Sequence, residues 1–495
     1  MHHSTLLPLL LANPVCASDP DFTSLLAQHV QALAQLTADF LDQTPTPQAT
    51  ADLERQLAQR TRLLARQLLE WTYNHIEPAD PSQAPPRLSC LGQTYRRRGH
   101  HPRTIATLFG PLRLRRLLYE PLEPGERCIH PLQLQLGLVA GYATPALAQR
   151  LGQYAAQQPQ RAVRDTLRQD HDLTCSQATL RKVTKALAEG LDPHRQNAQA
   201  DRLLALLQQA HASKGRRRVV LAVGRDGIQV PVVGTTYQEA STATLSVLDR
   251  RGRRLGTVYL GRMPEGGQTT LSEQLTALLE EVLKRWPKAP PRLAYITDGG
   301  WHPNDYFARV LRRMRDPRHP DKVLVWERII DFYHAAQYIS QLAEALFGET
   351  QQARSWARKM RKRLKERRGV SRVLQAATWH RGGLELSSQR EEKYEKAYRY
   401  LSRHGRWMDY ARYRQEGLPL GSGITEAGCK VLFTQRLKQS GMKWQAEGGQ
   451  VIVTLRSLWL SGVWEQVHQA YWTTSQPRLQ PSCGGQHEEE LEKAA

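Results

Sequence analysis

Cysteine is scarce in this chain of 495 residues: there are six, at positions 16, 90, 128, 175, 429 and 483. No two form a C-x-x-C pair, which removes the usual mark of a zinc finger or ribbon, and six over this length cannot make a disulfide framework. Long apolar runs are missing as well. No stretch reaches the about 18 apolar residues that a bilayer-spanning helix needs. Acid is in short supply: 47 Asp+Glu face 69 Lys+Arg, giving a net charge of +22 and a pI near 10.0. That excess argues against a small neutral metabolite as sole partner and for a polyanion, with nucleic acid first.

Few cysteines and no disulfide pattern fit the reducing cytoplasm. The segment 6–17 (LLPLLLANPVCA) is apolar and ends in small residues, but a secretory signal needs a basic leader, and only His2 and His3 precede it. What is present describes a folded protein: 40% hydrophobic residues, 23% charged, mean hydropathy −0.56. The length exceeds what a single core fills, so two or three domains are expected.

Helical spacing of Leu and Val runs through 22–76, broken at Thr44-Pro45-Thr46-Pro47, and a proline-rich linker follows over 78–87. Alternation over 103–119 about Gly110-Pro111 predicts a β-hairpin flanked by Arg113, Arg115 and Arg116. Helix resumes over 145–191. Within it, 173–183 has a polar break before an amphipathic helix, the outline of a helix-turn-helix whose Ser176, Gln177, Thr179 and Arg181 would face base edges. An ordinary helical hairpin fits the same residues. From 216 the character changes. Strands are predicted at 219–223, 243–248, 255–260, 293–297 and 322–326, with a helix over 270–285, which together describe an α/β core.

Residues 335–415 read as helical and very basic. Between Arg354 and Arg372 ten cations meet the single Glu366, and Arg354, Arg358, Arg361, Lys362, Lys365, Arg368 and Arg372 would share one face of a helix. A merely solvated face usually mixes signs, so this one is expected to track phosphates. Helices are expected over 424–440 and 450–471, and the tail from 476 is expected to be disordered.

Two acids directly follow buried-looking strands, each before glycine: Asp226-Gly227 and Asp298-Gly299-Gly300. Chemistry in open α/β sheets gathers at strand ends. Glu426 falls in the first turn of a helix behind the loop Leu420-Gly421-Ser422-Gly423, where the helix N-terminus favours an ionised carboxylate. Carboxylates suit Mg²⁺, and three can hold two ions about 3.5–4 Å apart for in-line phosphoryl displacement. A single Asp-Gly is above all a turn, so the weight rests on the triple within a basic chain. Glycoside hydrolysis by two carboxylates is a rival that leaves the charge unexplained.

The block Gly417-Leu418-Pro419-Leu420-Gly421-Ser422-Gly423-Ile424-Thr425-Glu426-Ala427-Gly428-Cys429-Lys430, with Gln435-Arg436-Leu437-Lys438-Gln439-Ser440-Gly441-Met442-Lys443-Trp444, resembles the block around the last acid of ISKra-type bacterial insertion-sequence transposases, distant relatives of the Mutator-like transposases. Segments 222–227, 296–301 and 329–334 match in the same order, so the resemblance covers roughly 90–475. It implies a DDE transposase with an RNase H-like α/β core. That core would span 216–334 and 416–475, interrupted by a basic helical insertion over 335–415, which sets Asp298 and Glu426 128 residues apart. Before it would lie an N-terminal helical region, 1–88, and a DNA-reading region, 89–215.

The resemblance makes Asp226, Asp298 and Glu426 the ligands of two Mg²⁺ ions, which Mn²⁺ could replace. It sets His334 of Asp331-Phe332-Tyr333-His334 near the scissile phosphate, although a capping Asp and a satisfied core His fit the same four residues. Arg436 and Lys438 join the DNA contacts. Trp301 could stack on an unpaired base, against the default of core packing. Double-stranded DNA, both element ends and target, would be the partner, bound by a homodimer or larger assembly at the nucleoid. A transposase descendant that binds DNA without cutting is the alternative. Two departures stand out: 118–128 carries one cysteine where family members often have pairs, so no structural zinc is expected there, and Gly224-Arg225 is less apolar than a strand end should be.

Overall fold

The computed structural model describes residues 20–475 and 479–481. The apolar 6–17 segment and most of the tail therefore lie outside the described residues. Among those described, no helix is long and apolar enough to cross a membrane. The chain forms two compact units, one of Met1–Tyr154, Pro159–Leu187 and Trp472–Ala495, the other of Ala155–Gln158 and Ala188–Tyr471.

The first unit opens with helices α1 (Pro20–Leu41) and α2 (Pro47–Asn74). Thr46 explains the break between them: its hydroxyl accepts the Ala49 N–H at 3.1 Å, and Pro47 sits at the first helical position, where no N–H is needed. Strands β1 (Arg87–Cys90), β2 (Gln93–His100), β3 (Arg103–Thr107), β4 (Gly110–Leu114) and β5 (Leu117–Pro121) follow. β3 and β4 make the predicted hairpin, with Gly110 and Pro111 inside β4 and not in the turn. The first two strands were not predicted, because β1 is too short to show alternation and is covered by a strand distant in sequence. That strand, Leu479–Pro481, pairs with β1 and lies where a disordered tail was expected. Leu117 does not extend the hairpin; β5 pairs with β2. Then come α3 (Pro131–Gln135), α4 (Pro145–Gln157), α5 (Gln160–His171) and α6 (Gln177–Ala212), the last contributing to both units.

The second unit is built on a mixed sheet. Strands β6 (Val220–Pro231), β7 (Tyr237–Leu248) and β8 (Arg254–Arg262) form an antiparallel meander. Helix α7 (Thr269–Arg285) leads to β9 (Arg292–Thr297), parallel to β6, and α8 (Trp301–Arg309) and a small hairpin, β10 (Arg315–Asp316) with β11 (His319–Val323), lead to β12 (Trp326–Ile330), parallel to β9. The order is β12-β9-β6-β7-β8. The strand expected over 322–326 is in fact a junction: β11 ends at Val323 and the sheet strand starts at Trp326.

Both faces of the sheet are covered, as its apolar runs require. Leu221, Val223, Leu245 and Val247 pack under α7 and Leu203 and Leu207 of α6. On the other face Val220, Ala222, Ala294 and Ile296 join one cluster with α9 (Phe332–Phe347), α10 (Gln351–Leu364), α11 (Gly369–Arg381), α12 (Ser388–His404) and α13 (Tyr410–Glu416). Each large apolar side chain buried there contributes about 1.5–3 kcal/mol. The helices beyond 335 thus share the core of the sheet.

Two predicted helices are broken. Arg368, at φ +56°, separates α10 from α11, so the basic stretch is not one helix. The last helix is split into α16 (Ala446–Leu460) and α17 (Trp464–Thr474) at Gly462, whose φ of +69° favours a residue without Cβ. Before them, α14 (Gly423–Cys429) runs through a π-turn at Lys430–Thr434 into α15 (Gln435–Leu437). Helix α14 lies directly on the sheet. A Cβ at Gly224 would collide with Thr425 Oγ1, which is hydrogen-bonded to Thr244 Oγ1 at 2.8 Å.

Gly224→Ala should therefore destabilise the protein by about 1–3 kcal/mol in denaturant unfolding, the range for overpacking. Gly448→Ala, with open space at its Cβ, should be neutral or stabilising by up to about 1 kcal/mol. Equal effects would contradict the close packing of α14.

Candidate active site

Backbone register decides which acids can meet. β6 pairs with β9 up to Gly224↔Ile296, and β9 with β12 up to Thr297↔Ile330. Carried just beyond the last pairs, the two registers set Asp226, Asp298 and Asp331 at one level, where the parallel pairing of three adjacent strands stops. Asp226 does not follow its strand, as the sequence suggested. β6 continues to Pro231, and Asp226 stands opposite Thr242 of β7. The apolar run ends at Gly224 only because β6 loses its parallel neighbour there.

Alternation along β6 sends Arg225 and Asp226 to opposite faces. Arg225 is 2% exposed; its guanidinium donates to Ser272 Oγ at 3.0 Å and Gln268 Oε1 at 2.9 Å and lies 4.6 Å from the Tyr306 ring. It is a buried cation of the α7 face, with both terminal nitrogens hydrogen-bonded there, which accounts for the charged residue at this strand position. Asp226 is half-buried on the other face, where its carboxylate accepts the Gly227 N–H at 2.8 Å and the Cys429 thiol at 3.5 Å. Burial first, and then the Asp298 charge, push its carboxyl up to about 6; the Glu426 charge acts in the same direction. Burial also pushes the Cys429 thiol up. Nothing in the sequence singled out Cys429.

Asp298 is held from two sides. Its Oδ1 accepts the Gly300 N–H at 2.8 Å, and its carbonyl accepts the Tyr400 hydroxyl at 2.6 Å. Tyr400 stacks on Tyr338 with ring centroids 3.7 Å apart, so α9 and α12 together fix this strand end. Glu426 lies in the first turn of α14, its Oε1 2.8 Å from Ser422 Oγ.

Asp331 is fully buried and caps α9, with Oδ1 accepting the His334 N–H at 2.8 Å. Its Oδ2 accepts both the backbone N–H and the hydroxyl of Ser422, the latter at 2.7 Å. Ser422 therefore ties the end of β12 to the loop that carries Glu426. Ligand atoms of Asp331, His334 and Glu426 all lie within 4.8 Å of one another, the one such set of three among the described residues. Asp226, Asp298 and Glu426 do not close to that distance. Two ions about 3.5–4 Å apart do not require it, since each carboxylate then serves a different part of the pair. Donors already engage both Asp331 oxygens, which gives this acid a positioning role. An all-oxygen set of Asp226, Asp298 and Glu426 fits Mg²⁺, and the raised carboxyl of Asp226, due first to burial and then to the neighbouring Asp298 charge, is one that a divalent ion would bring back down.

The other predicted residues are dispersed. Trp301 is 69% exposed at the start of α8, next to Asp298-Gly299-Gly300, so core packing does not apply to it. Arg354, Arg358, Arg361 and Lys362 are exposed on α10, whereas Lys365 and Arg368 lie in the following turn and Arg372 on α11, so the seven cations do not form one helical face. Arg361 donates to Ser340 Oγ, Lys365 lies 4.3 Å from the Phe332 ring, and Arg372 pairs with Glu366 at 2.8 Å. Arg436 does not reach solvent: it is fully buried, donates to the Ala155 carbonyl at 2.9 Å, and cannot contact DNA in this fold. Lys438 is half-buried, 5.9 Å from the Tyr237 ring. In the first unit, Ser176 caps α6 by accepting the Thr179 N–H at 3.0 Å, while Gln177 and Arg181 are exposed and Thr179 half-buried.

A carboxyl raised to about 6 binds its proton more tightly folded than unfolded, so it costs the metal-free protein stability as pH climbs. Thermal melts in chelator should show stability falling between about pH 4 and about pH 7, and Asp226→Asn should flatten that segment of the profile. An unchanged profile would contradict the assignment. Ser422→Ala leaves the buried Asp331 short of a donor and should cost about 1–3 kcal/mol in denaturant unfolding; a neutral result would remove the Asp331–Ser422 tie.

No protein-family model matches the chain and no curated protein does, so the arrangement of these side chains is the ground for a functional reading.

Proposed function

We propose that the protein is a DDE-type transposase that cleaves DNA at the ends of an insertion sequence and joins the freed strand to target DNA. The observation that carries this reading is the common level of Asp226 and Asp298 where the parallel pairing of β6 and β9 stops, with Glu426 brought toward them by a helix docked on the same sheet. An antiparallel meander extended by two parallel strands is also the sheet an RNase H-like core requires, and that finer fold belongs to the same proposal.

Asp226, Asp298 and Glu426 would hold two Mg²⁺ ions, which supply charge neutralisation at the phosphate and a deprotonated attacking oxygen. The chain's own residues hold the geometry. Tyr400 and the Gly300 N–H fix Asp298, and Ser422 and Asp331 fix the loop before Glu426. His334, half-buried beside Glu426, is placed to contact a phosphate oxygen or carry a proton. Exposed Trp301 offers a stacking platform worth about 1–3 kcal/mol per base. The exposed cations of α10 suit the DNA backbone.

The test is cleavage of labelled duplex carrying the sequences that flank the gene, with Mg²⁺ or Mn²⁺, by the parent and by Asp298→Asn. The parent should cut only with metal, and the variant should lose more than about 10²-fold in rate, the scale that even a small misplacement of a catalytic group reaches. Full cleavage by the variant would sink the carboxylate assignment.

A further inference from the structure

The end of the sheet opposite the carboxylates carries a basic surface that the cleavage reading does not use. Two sequence-distant runs meet there. Lys214, Arg216, Arg217 and Arg218 lead into β6 and are all exposed. Arg251, Arg253 and Arg254, also exposed, come from the turn between β7 and β8. The backbone joins the runs: the Arg217 N–H donates to the Arg250 carbonyl at 3.3 Å and Arg251 Nε to the Lys214 carbonyl at 3.2 Å. Arg217 in turn donates to the Arg251 carbonyl at 3.0 Å. The one acid in the two runs, Asp249, is buried, and its Oδ1 accepts the N–H groups of Arg251 and Arg253 at 2.8 Å each. It shapes the turn and adds little negative surface. A cleft of about 880 Å³ runs on from Arg218 to Lys288 and Lys322, and the acids that also line it, Asp316, Glu327 and Glu416, are paired with Arg318 and Arg292.

We propose that this edge of the sheet is a second nucleic-acid surface, which grips a duplex by its phosphates at a distance from the carboxylates. The stretch of β6 from Val220 to Asp226 spans about 20 Å at about 3.3 Å per residue, so the two sites do not overlap. Like charges held together on a rigid turn repel one another, and a polyanion relieves that repulsion while releasing its own counterions. A bilayer surface would call for exposed Trp, Phe or Leu among the cations, and none stands in these runs. The surface requires no cutting by the carboxylates, although under that reading it would hold flanking or target DNA.

The test uses the full chain with Arg216, Arg218, Arg253 and Arg254 all changed to Gln; Arg217 is kept for its hydrogen bond to the turn. Binding of a fluorescent duplex of arbitrary sequence is measured against salt concentration, with a thermal melt of each protein. Loss of four phosphate contacts should make the log–log salt slope shallower by about 3–4 and weaken low-salt binding at least about tenfold. Should the quadruple variant melt early, the pair R253Q and R254Q should give about half the slope change. A slope equal to the parent's overturns the proposal, as does a loss confined to phosphatidylserine vesicles with duplex binding intact. Metal-dependent cleavage is scored in the same samples. Its absence in the parent counts against the carboxylate reading alone, and an unchanged slope counts against the basic surface alone.

Discussion

Parallel pairing of β6 with β9, and of β9 with β12, fixes the level of Asp226, Asp298 and Asp331 at the candidate site. A slip of one residue in β6 would turn Asp226 into the α7 core and bring Arg225 out beside Asp298, since facing reverses at each step. The same register carries Gly224 to the point where α14 touches the sheet. From there it determines where Glu426 can lie. The buried hydrogen bonds of Arg225 to Gln268 and Ser272 lock the register from the other face, because a slip would leave that guanidinium without partners.

Asp226, Asp298 and Asp331 stand where the parallel pairing of β6, β9 and β12 stops, and exposed guanidinium groups stand at the amino end of β6 and in the neighbouring turn; Glu327, near the amino end of β12, is paired with Arg292 and Arg412. Interactions between the two ends are weak, since about 20 Å exceeds the Debye length of about 8 Å at physiological salt. Each end can therefore keep its own ionic character. Within the acidic end, Asp331 differs from the rest: it is fully buried, and Ser422 and His334 supply it with donors. Asp226 has less support and carries the raised carboxyl.

Much of this was legible in the sequence where a feature depends on near neighbours. The strand ending at Asp298 shows as a short apolar run closed by Asp-Gly-Gly, and Glu426 shows as an acid in a first helical turn behind glycines. Features set by distant partners did not show. Arg225 reads as out of place at a strand end because its partner Gln268 lies 43 residues away; Arg436 reads as a DNA contact because the carbonyl it binds, on Ala155, lies 281 residues earlier. The hold of Asp331 on Ser422 spans 91 residues. The break in the basic stretch is a different case. The charge pattern suggests one continuous helix, while the left-handed backbone at Arg368 before Gly369 divides it. For Trp301 the residue type alone favours the core over a base-stacking place, and only the turn after Asp298 sets it outside.

The docking of α14 also has a consequence for the order of events in the life of the chain. Its seat on the sheet joins Thr244 to Thr425, residues 181 positions apart, and such long-range contacts form late in folding. During synthesis the sheet strands emerge first, Asp226 and Asp298 with them, while Glu426 is still to be made. A nascent or truncated chain would therefore hold an incomplete set of carboxylates. Under the proposed function, the set of carboxylates is complete only once Glu426 has been made and its helix has folded back onto the sheet, which would keep partial products from cutting the cell's own DNA.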